Sequence, residues 1–306
     1  MAQDADGPSM VAPDEAFSVL GNETRIDILQ TLGDAEGPLS FTELRDRVGI
    51  RQGAQFNYHL DKLVGHFVGK TDAGYTLRQP GRRAVQAILS GAVTADPTFE
   101  PTGSEFSCRH CGASVEVGYR RGEMQLSCPE CGGNYEKSAV RESDHDTEYG
   151  NLANMPLAPA AIQGRSPAGV LRAAATRGHL DALAASSDLC PRCSASVESI
   201  VDVCKNHDAT GRLCDQCDHR LAVRVRFRCT NCIYQQAFTA VMALLNVPEL
   251  AAFVGDHGYN TTSDGIDWGW DYDEEIISTD PFEGRFTFKI DGDSITLTVN
   301  DDLEVV

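Results

Sequence analysis

The sequence predicts an α+β protein built from several domains. Three patterns along the 306 residues lead to this prediction. Apolar residues recur at helical spacing near the N-terminus, and Cys-x-x-Cys doublets separated by segments of strand length follow in the middle. Two segments that alternate apolar and polar residues lie near the C-terminal end. Because 42% of the residues are hydrophobic, the chain can form more than one core.

Four helices are predicted at the start of residues 14–91. The first is short, and Asn22 caps the second, because its side chain can accept from the free N–H groups of the first turn. Ser40 and Glu43 match the capping box that opens a third helix. The fourth helix is predicted from Arg51 to about Val64. Its predicted buried stripe is Phe56, Leu60 and Leu63.

Two short strands and a closing helix are predicted next. The strands span residues 67–77 around Asp72-Ala73-Gly74, a turn in which glycine supplies a positive φ. The closing helix covers residues 81–90. Its apolar residues Val85, Ile88 and Leu89 can pack either in the core of the domain or against a second copy, and we expect the second copy. Helices followed by a hairpin in this order predict a winged helix-turn-helix domain over residues 14–91.

Three stretches of this domain carry a family resemblance. They are AFSVLGNETRIDIL (16–29), QFNYHLDKL (55–63) and KTDAGYTL (70–77). In order and spacing they resemble the ArsR-type winged-helix transcription regulators, over about a quarter of the chain. The resemblance implies a homodimer whose fourth helix enters the major groove of double-stranded DNA. It does not imply metal sensing by thiols in this domain, because residues 14–91 contain no cysteine.

The same resemblance implies a set of DNA-contacting residues. The expected contacts are Arg51, Gln52, Gln55, Asn57, Tyr58, Lys62 and Lys70. All but Lys70 lie on or beside the polar face of the fourth helix, and Lys70 lies in the hairpin. The competing interpretation is a helix face that is polar only because water covers it.

The cysteines predict three zinc sites. Ten of the 11 form five Cys-x-x-Cys pairs, and the last lies in Cys204-x-x-His207, so twelve ligands divide into three tetrahedral sites. The predicted ligands are Cys108, Cys111, Cys128, Cys131, Cys190, Cys193, Cys204, His207, Cys214, Cys217, Cys229 and Cys232. Disulfides require an oxidising compartment, whereas the acidic N-terminus lacks the apolar core of a signal peptide. Iron–sulfur ligation usually groups three cysteines closely, unlike these evenly spaced doublets.

The first four ligands have the spacing of a zinc ribbon, predicted over residues 104–137, with Gly112 and Gly132 allowing tight turns after the ligands. For the other eight, two unbroken strand segments, 197–203 and 221–228, each separate ligands by roughly 25 Å. This favours a nested grouping, with Cys190, Cys193, Cys229 and Cys232 at the base of a hairpin and the other four at its tip. A sequential grouping remains the alternative. With every coordination position filled by protein, the sites are structural.

The remaining boundaries come from composition. Residues 1–13 are predicted to be a disordered acidic tail, and residues 92–103 and 138–165 to be linkers rich in proline or polar residues. Residues 166–306 form a C-terminal domain that begins with a Ser166-Pro167 helix start, contains the two-zinc hairpin and ends in an antiparallel β-hairpin over 286–299. We expect an effector or interaction domain, because it resembles the C-terminal modules that follow such winged helices in halophilic archaeal regulators.

The charge is large and uneven. The chain carries 45 acidic and 26 basic residues, a net charge of −19, which resembles the surfaces of salt-adapted proteins from halophilic archaea. Residues 14–91 have a net charge of −1, whereas residues 250–306 have −12. Any contact with a polyanion is therefore expected in the first domain. Arg224, Arg226 and Arg228 form one basic strand face, either solvated, or paired with the acidic C-terminus, or a second nucleic-acid contact.

These observations favour a zinc-stabilised, DNA-binding transcription regulator in the cytoplasm, with no membrane contact, since no run of 18 apolar residues occurs. The alternative is an adaptor of the transcription machinery that binds RNA polymerase, because a winged helix with a zinc ribbon also resembles the archaeal counterpart of general factor E. Nucleophile elbows, phosphate loops and open metal sites are missing from the sequence, so no catalytic residue and no enzyme activity are expected.

Overall fold

The structure, a computed structural model, describes residues 11–135, 150–210, 213–260 and 271–306. The chain divides into two compact units, Met1–Ala95 and Asp96–Val306, made of helices and four small antiparallel sheets. The predicted acidic tail, apart from its last three residues, lies outside the described part. Among the helices described, none combines the length and the apolar content needed to cross a bilayer.

Five helices form most of the first unit over residues 11–95, the part that the structure describes. They are α1 (Pro13–Leu20), α2 (Glu23–Gly33), α3 (Phe41–Val48), α4 (Gly53–Leu63) and α5 (Gln79–Leu89). Both predicted caps are present: Asn22 accepts from the Arg25 N–H at 3.3 Å, and Ser40 with Glu43 forms the capping box at the start of α3. Gly49, in the left-handed region at φ 80°, ends α3.

The predicted hairpin follows α4 as β1 (Val68–Thr71) and β2 (Gly74–Leu77), paired antiparallel. Gly74 has φ 130°, which confirms the prediction of a positive φ at this turn. A side chain there would place its Cβ 2.4 Å from the carbonyl oxygen of Leu39. Leu39 also exchanges two backbone hydrogen bonds with Tyr75, so it adds a short third strand to the hairpin.

The core of the first unit lies between the helices and the hairpin. Its buried residues are Ile28, Leu29, Leu32, Leu39, Leu44, Phe56, Leu60, Leu63, Phe67, Val68, Tyr75, Leu77 and Val85. The predicted stripe of α4 is therefore confirmed. The prediction that Val85 is free for a second copy is wrong, because this side chain is 5% exposed and packs in the core of its own unit. Leu89, one turn later, is exposed.

Helix α4 begins later than predicted. Arg51 lies before the helix, and Gln52, at φ −86° and ψ 104°, is its extended N-cap residue. The reason is the packing of Ile50 against the core, which keeps the chain extended until Gly53. Arg51 is thus an exposed loop residue at the start of the helix, rather than part of its polar face.

A four-stranded antiparallel sheet opens the second unit. Its strands, in spatial order, are β3 (Phe99–Ser107), β4 (Ser114–Arg120), β5 (Glu123–Cys128) and β6 (Gly150–Pro156). The β4–β5 hairpin is the one predicted for the ribbon. The prediction of a linker over 92–103 is wrong where β3 begins, and the prediction of a linker over 138–165 is wrong at β6 and at a 3-10 helix, Pro159–Ile162. Residues 136–149 lie outside the described part. Edge strands tolerate proline, so Pro101 and Pro156 made strands look like linkers.

Helix α6 (Pro167–Ser186) packs across this sheet. It starts as predicted, with Ser166 accepting from the Gly169 N–H at 3.2 Å. Val170, Leu171 and Ala174 are buried against Tyr119 and Met124 of the sheet. The sheet and α6 therefore share one core, which holds the first cysteine doublets on a rigid base.

A second sheet has the order β7 (Val197–Val203), β8 (Val223–Cys229) and β9 (Gln235–Thr239). β8 buries Val223, Val225 and Phe227 on one face, as its alternation predicts. On its other face, Arg226 forms an ion pair with Asp202 of β7 at 2.9 Å, and Arg224 Nη1 lies 2.9 Å from His219 Nε2. The acid paired with this face is thus on the neighbouring strand.

The chain ends with α7 (Ala240–Ala243), α8 (Pro248–Asp256) and a sheet of β10 (Asp271–Thr279), β11 (Phe282–Ile290) and β12 (Asp293–Asn300). The predicted β11–β12 hairpin is confirmed, with positive φ at Asp291 and Gly292. β10 was not predicted, because its run Asp273-Glu274-Glu275 has low strand propensity.

Candidate metal centres

The first cluster consists of Cys108, Cys111, Cys128 and Cys131, at the ends of β3 and β5. All four sulfur atoms lie within 4.8 Å of one another. Cys108 Sγ is 3.7 Å from Cys131 Sγ, and Cys111 Sγ is 3.5 Å from Cys128 Sγ. The β4–β5 hairpin fixes this geometry, because it returns the chain to the same end of the sheet.

These distances suit a tetrahedral metal site. Zinc–sulfur bonds of about 2.3 Å place the sulfurs of a tetrahedron about 3.8 Å apart. A disulfide would need about 2.05 Å, and no two of the 11 cysteines, all within the described residues, form one. The clusters could therefore hold metal ions such as zinc, with thiolate donors that such an ion prefers.

The second cluster consists of Cys190, Cys193, Cys229 and Cys232, at one end of the β7–β8 pair. Cys190 Sγ lies 3.7 Å from Cys232 Sγ, and Cys193 Sγ lies 3.4 Å from Cys229 Sγ. The backbone N–H of Ala195, followed by the Cys229 thiol, lowers the pKa of Cys193 to about 6. Hydrogen bonds to a thiolate favour the ionised form, which is the one that ligates a metal.

The third cluster consists of Cys204, His207, Cys214 and Cys217. Cys217 Sγ lies 3.5 Å from His207 Nδ1, and His207 Nε2 lies 3.1 Å from the carbonyl oxygen of Arg220. The carbonyl can only accept, so Nε2 carries the proton and Nδ1 presents its lone pair to the cluster. Backbone donors, first that of Asp208, lower the pKa of Cys214 to about 6.

The backbone of the doublets supports the sulfurs in a repeated way. In four of them, the N–H two residues after the first cysteine donates to its sulfur, at 3.3–3.5 Å. The donor residues are His110, Arg192, Gln216 and Asn231. Gly112 has the predicted positive φ, but Gly132 does not, and Gly133 at φ 70° makes the second turn instead. Gly133 packs so closely on Asn151 that a side chain there would clash with its carbonyl.

The nested grouping is confirmed, and the sequential alternative is wrong. β7 and β8 pair in register from Val197 with Cys229 to Val203 with Val223. Each strand therefore has one ligand doublet at each of its two ends, and the doublets at the same end form one cluster. The strand lengths predicted this separation. The two clusters hold opposite ends of one antiparallel ladder.

Comparisons with known proteins cover both units. Residues 13–88 match a domain of unknown function, DUF7347. Residues 105–305, two thirds of the chain, match a second domain of unknown function, DUF7351. The chain belongs to the DUF7351 family. No curated protein and no solved structure matches it. All twelve cluster residues lie within the DUF7351 match.

Two histidines near the DUF7351 clusters are not members of them. His110 Nε2 lies 2.7 Å from Asn134 Oδ1, and His219 Nε2 lies 2.9 Å from Arg224 Nη1. Burial lowers the pKa of both imidazoles. Both histidines therefore interact with neighbouring side chains. The three clusters are complete without them, as expected from the count of twelve ligands.

The seven residues predicted to contact DNA lie outside the DUF7351 match, and all are exposed. Gln55, Tyr58 and Lys62 share one side of α4, while Lys70 lies on β1. The Asn57 side chain donates to Asp61 at 2.7 Å on the flank of the helix. Arg51 and Gln52 precede the first turn. The structure thus gathers them around one end and one face of α4, with Lys70 in the hairpin.

A cavity in the DUF7351 unit was missed by the sequence analysis. It has a volume of about 290 Å³ and lies among β6, α6, β9, α7 and β10. Arg109 and Arg220, each beside a cluster ligand, contribute to its wall. No sequence motif could reveal it, because its residues come from segments far apart in the chain.

Proposed function

We propose that the protein is a homodimeric transcription regulator that binds double-stranded DNA through a winged helix-turn-helix in its first unit, and that zinc fills its three clusters. The observation that carries this proposal is that α4 has one buried apolar side and one exposed polar side. Phe56, Leu60 and Leu63 are fully buried, whereas Gln55, Tyr58 and Lys62 are exposed on the other side. A helix held by its apolar stripe can present its polar side to a major groove.

Tyr58 distinguishes this face from an ordinary hydrated one. Its side chain is 60% exposed, although aromatic rings gain by burial. Lys62 Nζ lies 5.8 Å from the centre of the ring, which holds a cation beside it. A flat ring next to a cation suits contact with sugar and phosphate at a groove edge.

The start of α4 gives a second argument. Among the described residues, no side chain caps this helix, in contrast to α2 and α3. The first N–H groups of a helix attract phosphate when they have no partner in the protein. Arg51 and Gln52 lie directly before these groups and can contact the same phosphate or a nearby base.

The dimer proposal rests on apolar side chains exposed in the first unit. Phe17 of α1 is 73% exposed, Leu89 of α5 is 60% exposed and Val93 is 72% exposed. Large apolar side chains that are exposed to water favour association with a partner. Replacing Phe17 and Leu89 with glutamate should convert the dimer to a monomer in sedimentation analysis, and a monomeric unmodified chain would refute this part.

Zinc is the metal proposed for the clusters because eleven sulfurs and one imidazole give three closed tetrahedral donor sets. When bound, zinc supplies a cross-link and no reaction here. The chain's own residues supply the rest: the doublet backbones donate to sulfur, and Arg220 orients His207. Each site would link two cysteine or histidine doublets that are separated along the chain.

The test of DNA binding is selection from a random duplex library with the full chain, followed by affinity measurement on the enriched site. The Arg51→Ala, Gln55→Ala double variant should bind at least about tenfold more weakly. The matched control is Arg165→Ala with Gln163→Ala, two exposed residues of the same types in the second unit. Equal binding by both double variants would refute the assigned face.

The same preparation distinguishes the adaptor alternative. If the library yields no enriched site while the purified chain retains RNA polymerase, the first unit acts as a protein-binding module instead. A regulator gives an enriched site whose two halves are related by two-fold symmetry, because a homodimer presents two copies of α4.

A further inference from the structure

The cavity of the second unit has the size and enclosure of a small-molecule site. Its volume of about 290 Å³ is at the lower end of the range for ligand pockets, about 300–1,000 Å³. It is partly open to solvent, and residues next to the first and third clusters contribute to its wall. A small metabolite would fit, whereas a dinucleotide would not.

Most of the cavity wall is apolar. Leu152 and Met155 come from β6, Phe238 from β9, and Val241 and Met242 from α7. An apolar group of a ligand binds favourably against such a wall, because moving apolar surface from water into an apolar environment lowers the free energy. The occupant therefore has an apolar body.

The charged residues of the wall are mainly cationic. Arg109 and Arg220 line the cavity, and the only acidic residue in its described lining is Asp181. The carboxylate of Asp181 already forms ion pairs with Arg177 at 2.7 Å and Arg192 at 3.1 Å. Asp181 is thus already neutralised by other residues and is not needed to neutralise Arg220, in a chain whose net charge is −19.

The tyrosines of the wall add no negative charge near Arg220. Burial raises the pKa of Tyr135 and of Tyr272, so both hydroxyls stay neutral. Arg220 is held in place, because its Nε donates to the Gly133 carbonyl at 2.8 Å. A guanidinium fixed through one nitrogen still has its other N–H groups for a second acceptor.

We propose that this cavity binds a small organic carboxylate with an aromatic or branched aliphatic body, its charge directed to Arg220 and its body to Phe238, Val241 and Met242. Arginine recognises carboxylates through paired hydrogen bonds, which a low-dielectric wall strengthens. Arg109 lies between Cys108 and Cys111, and Arg220 follows Cys217 closely. The bound acid would therefore lie beside the third cluster, next to the arginine whose carbonyl orients His207.

The inference does not depend on DNA binding, and its test contains no DNA. Three acids serve as probes for the full metal-loaded chain: phenylacetate, indole-3-acetate and 4-methylpentanoate. Each is paired with its neutral amide, which has nearly the same shape. Calorimetry should show at least one acid binding, with its amide at least about tenfold weaker.

Variants then locate the binding. Arg220→Met keeps the length of the side chain and removes its charge, so it should weaken the acid at least about tenfold. Val241→Phe fills the cavity and should abolish binding of acid and amide alike. Arg165→Met, an exposed arginine outside the cavity, should change neither. Circular dichroism and metal content show whether each variant is folded.

Two results would overturn the proposal. The first is that none of the three acids binds the unmodified chain even at an acid concentration of about 10 mM, at which very weak binding would still be detected. The second is an acid that binds no better than its amide, or that binds Val241→Phe as well as the unmodified chain. The comparison of acid and amide uses only the unmodified chain. It can therefore refute the proposal even if a variant fails to fold.

Discussion

The ring of His207 is oriented by the backbone of Arg220: His207 Nε2 donates to the Arg220 carbonyl oxygen at 3.1 Å. This bond fixes the proton on Nε2 and leaves Nδ1 toward Cys217 Sγ, 3.5 Å away. The side chain of the same arginine donates to Gly133, next to the first cluster. Arg220 therefore connects two clusters, one through its carbonyl and the other through its guanidinium.

The first prediction concerns metal content. The purified chain should contain three equivalents of zinc, because three complete donor sets are present. His207→Ala should lower this to two, since three thiolates leave the third site open. His219→Ala is the matched control: His219 lies close to the same cluster without belonging to it, and should leave three equivalents. Elemental analysis after dialysis measures both, and three equivalents in His207→Ala would contradict the assignment.

How far the sequence predicted the structure depends on the kind of signal. Doublet spacing identified all twelve cluster residues, and the length of β7 and β8 gave their nested grouping, because a strand fixes the distance between its ends. The caps at Asn22 and Ser40 were equally local. The features that the sequence did not predict depend on contacts with other segments. For example, β10 is a strand because β11 pairs with it, despite the acidic residues of β10.

Tertiary packing also explains the other differences. Arg51 lies outside α4 because Ile50 packs on the core, and Val85 is unavailable for a partner because it contacts the position of Gly33. The cavity arises only when distant segments meet, so no local pattern indicated Arg109 and Arg220 as neighbours. Local chemistry thus predicted the clusters, while long-range contacts set the helix boundary and the cavity.

The second prediction tests the hairpin turn of the first unit. Gly74→Ala should destabilise that unit by about 2–4 kcal/mol, because φ 130° is strained for alanine and its Cβ would lie 2.4 Å from the Leu39 carbonyl. Gly37→Ala is the control, since nothing lies within 4 Å of its added Cβ. Denaturant unfolding followed by circular dichroism gives both free energies, and equal values would contradict the described turn.

The third prediction concerns a buried amide. Neither Nδ2 nor Oδ1 of Asn154 has a hydrogen-bond partner among the described residues, and both atoms are buried. Asn154→Leu should therefore stabilise the second unit by about 1 kcal/mol, since an unsatisfied polar group is replaced by an apolar one of similar shape. Thermal unfolding of the metal-loaded chain measures the change.

Asn134 provides the opposite case for this measurement. Its Oδ1 lies 2.7 Å from His110 Nε2, and its Nδ2 donates to the Leu152 carbonyl at 2.8 Å. Asn134→Leu should lower the unfolding temperature, because it leaves both partners unsatisfied. Destabilisation of similar size in both variants would contradict this account of the Asn154 amide, which lines the cavity of the second unit.

The fourth prediction concerns pH. The Phe253 carbonyl, at 2.8 Å from Nδ1, and then Asp293, at 3.2 Å from Nε2, raise the pKa of His257. The folded pKa lies above the unfolded value of about 6.5, so the contribution to stability is fully present below that value and is lost as pH rises through the folded pKa. The stability difference between the unmodified chain and His257→Gln should therefore fall as the pH rises above the ordinary imidazole pKa of about 6.5 and through the raised pKa of His257. Asp293→Asn should reduce the dependence without abolishing it, because the Phe253 carbonyl remains. A difference that rises with pH would contradict both contacts.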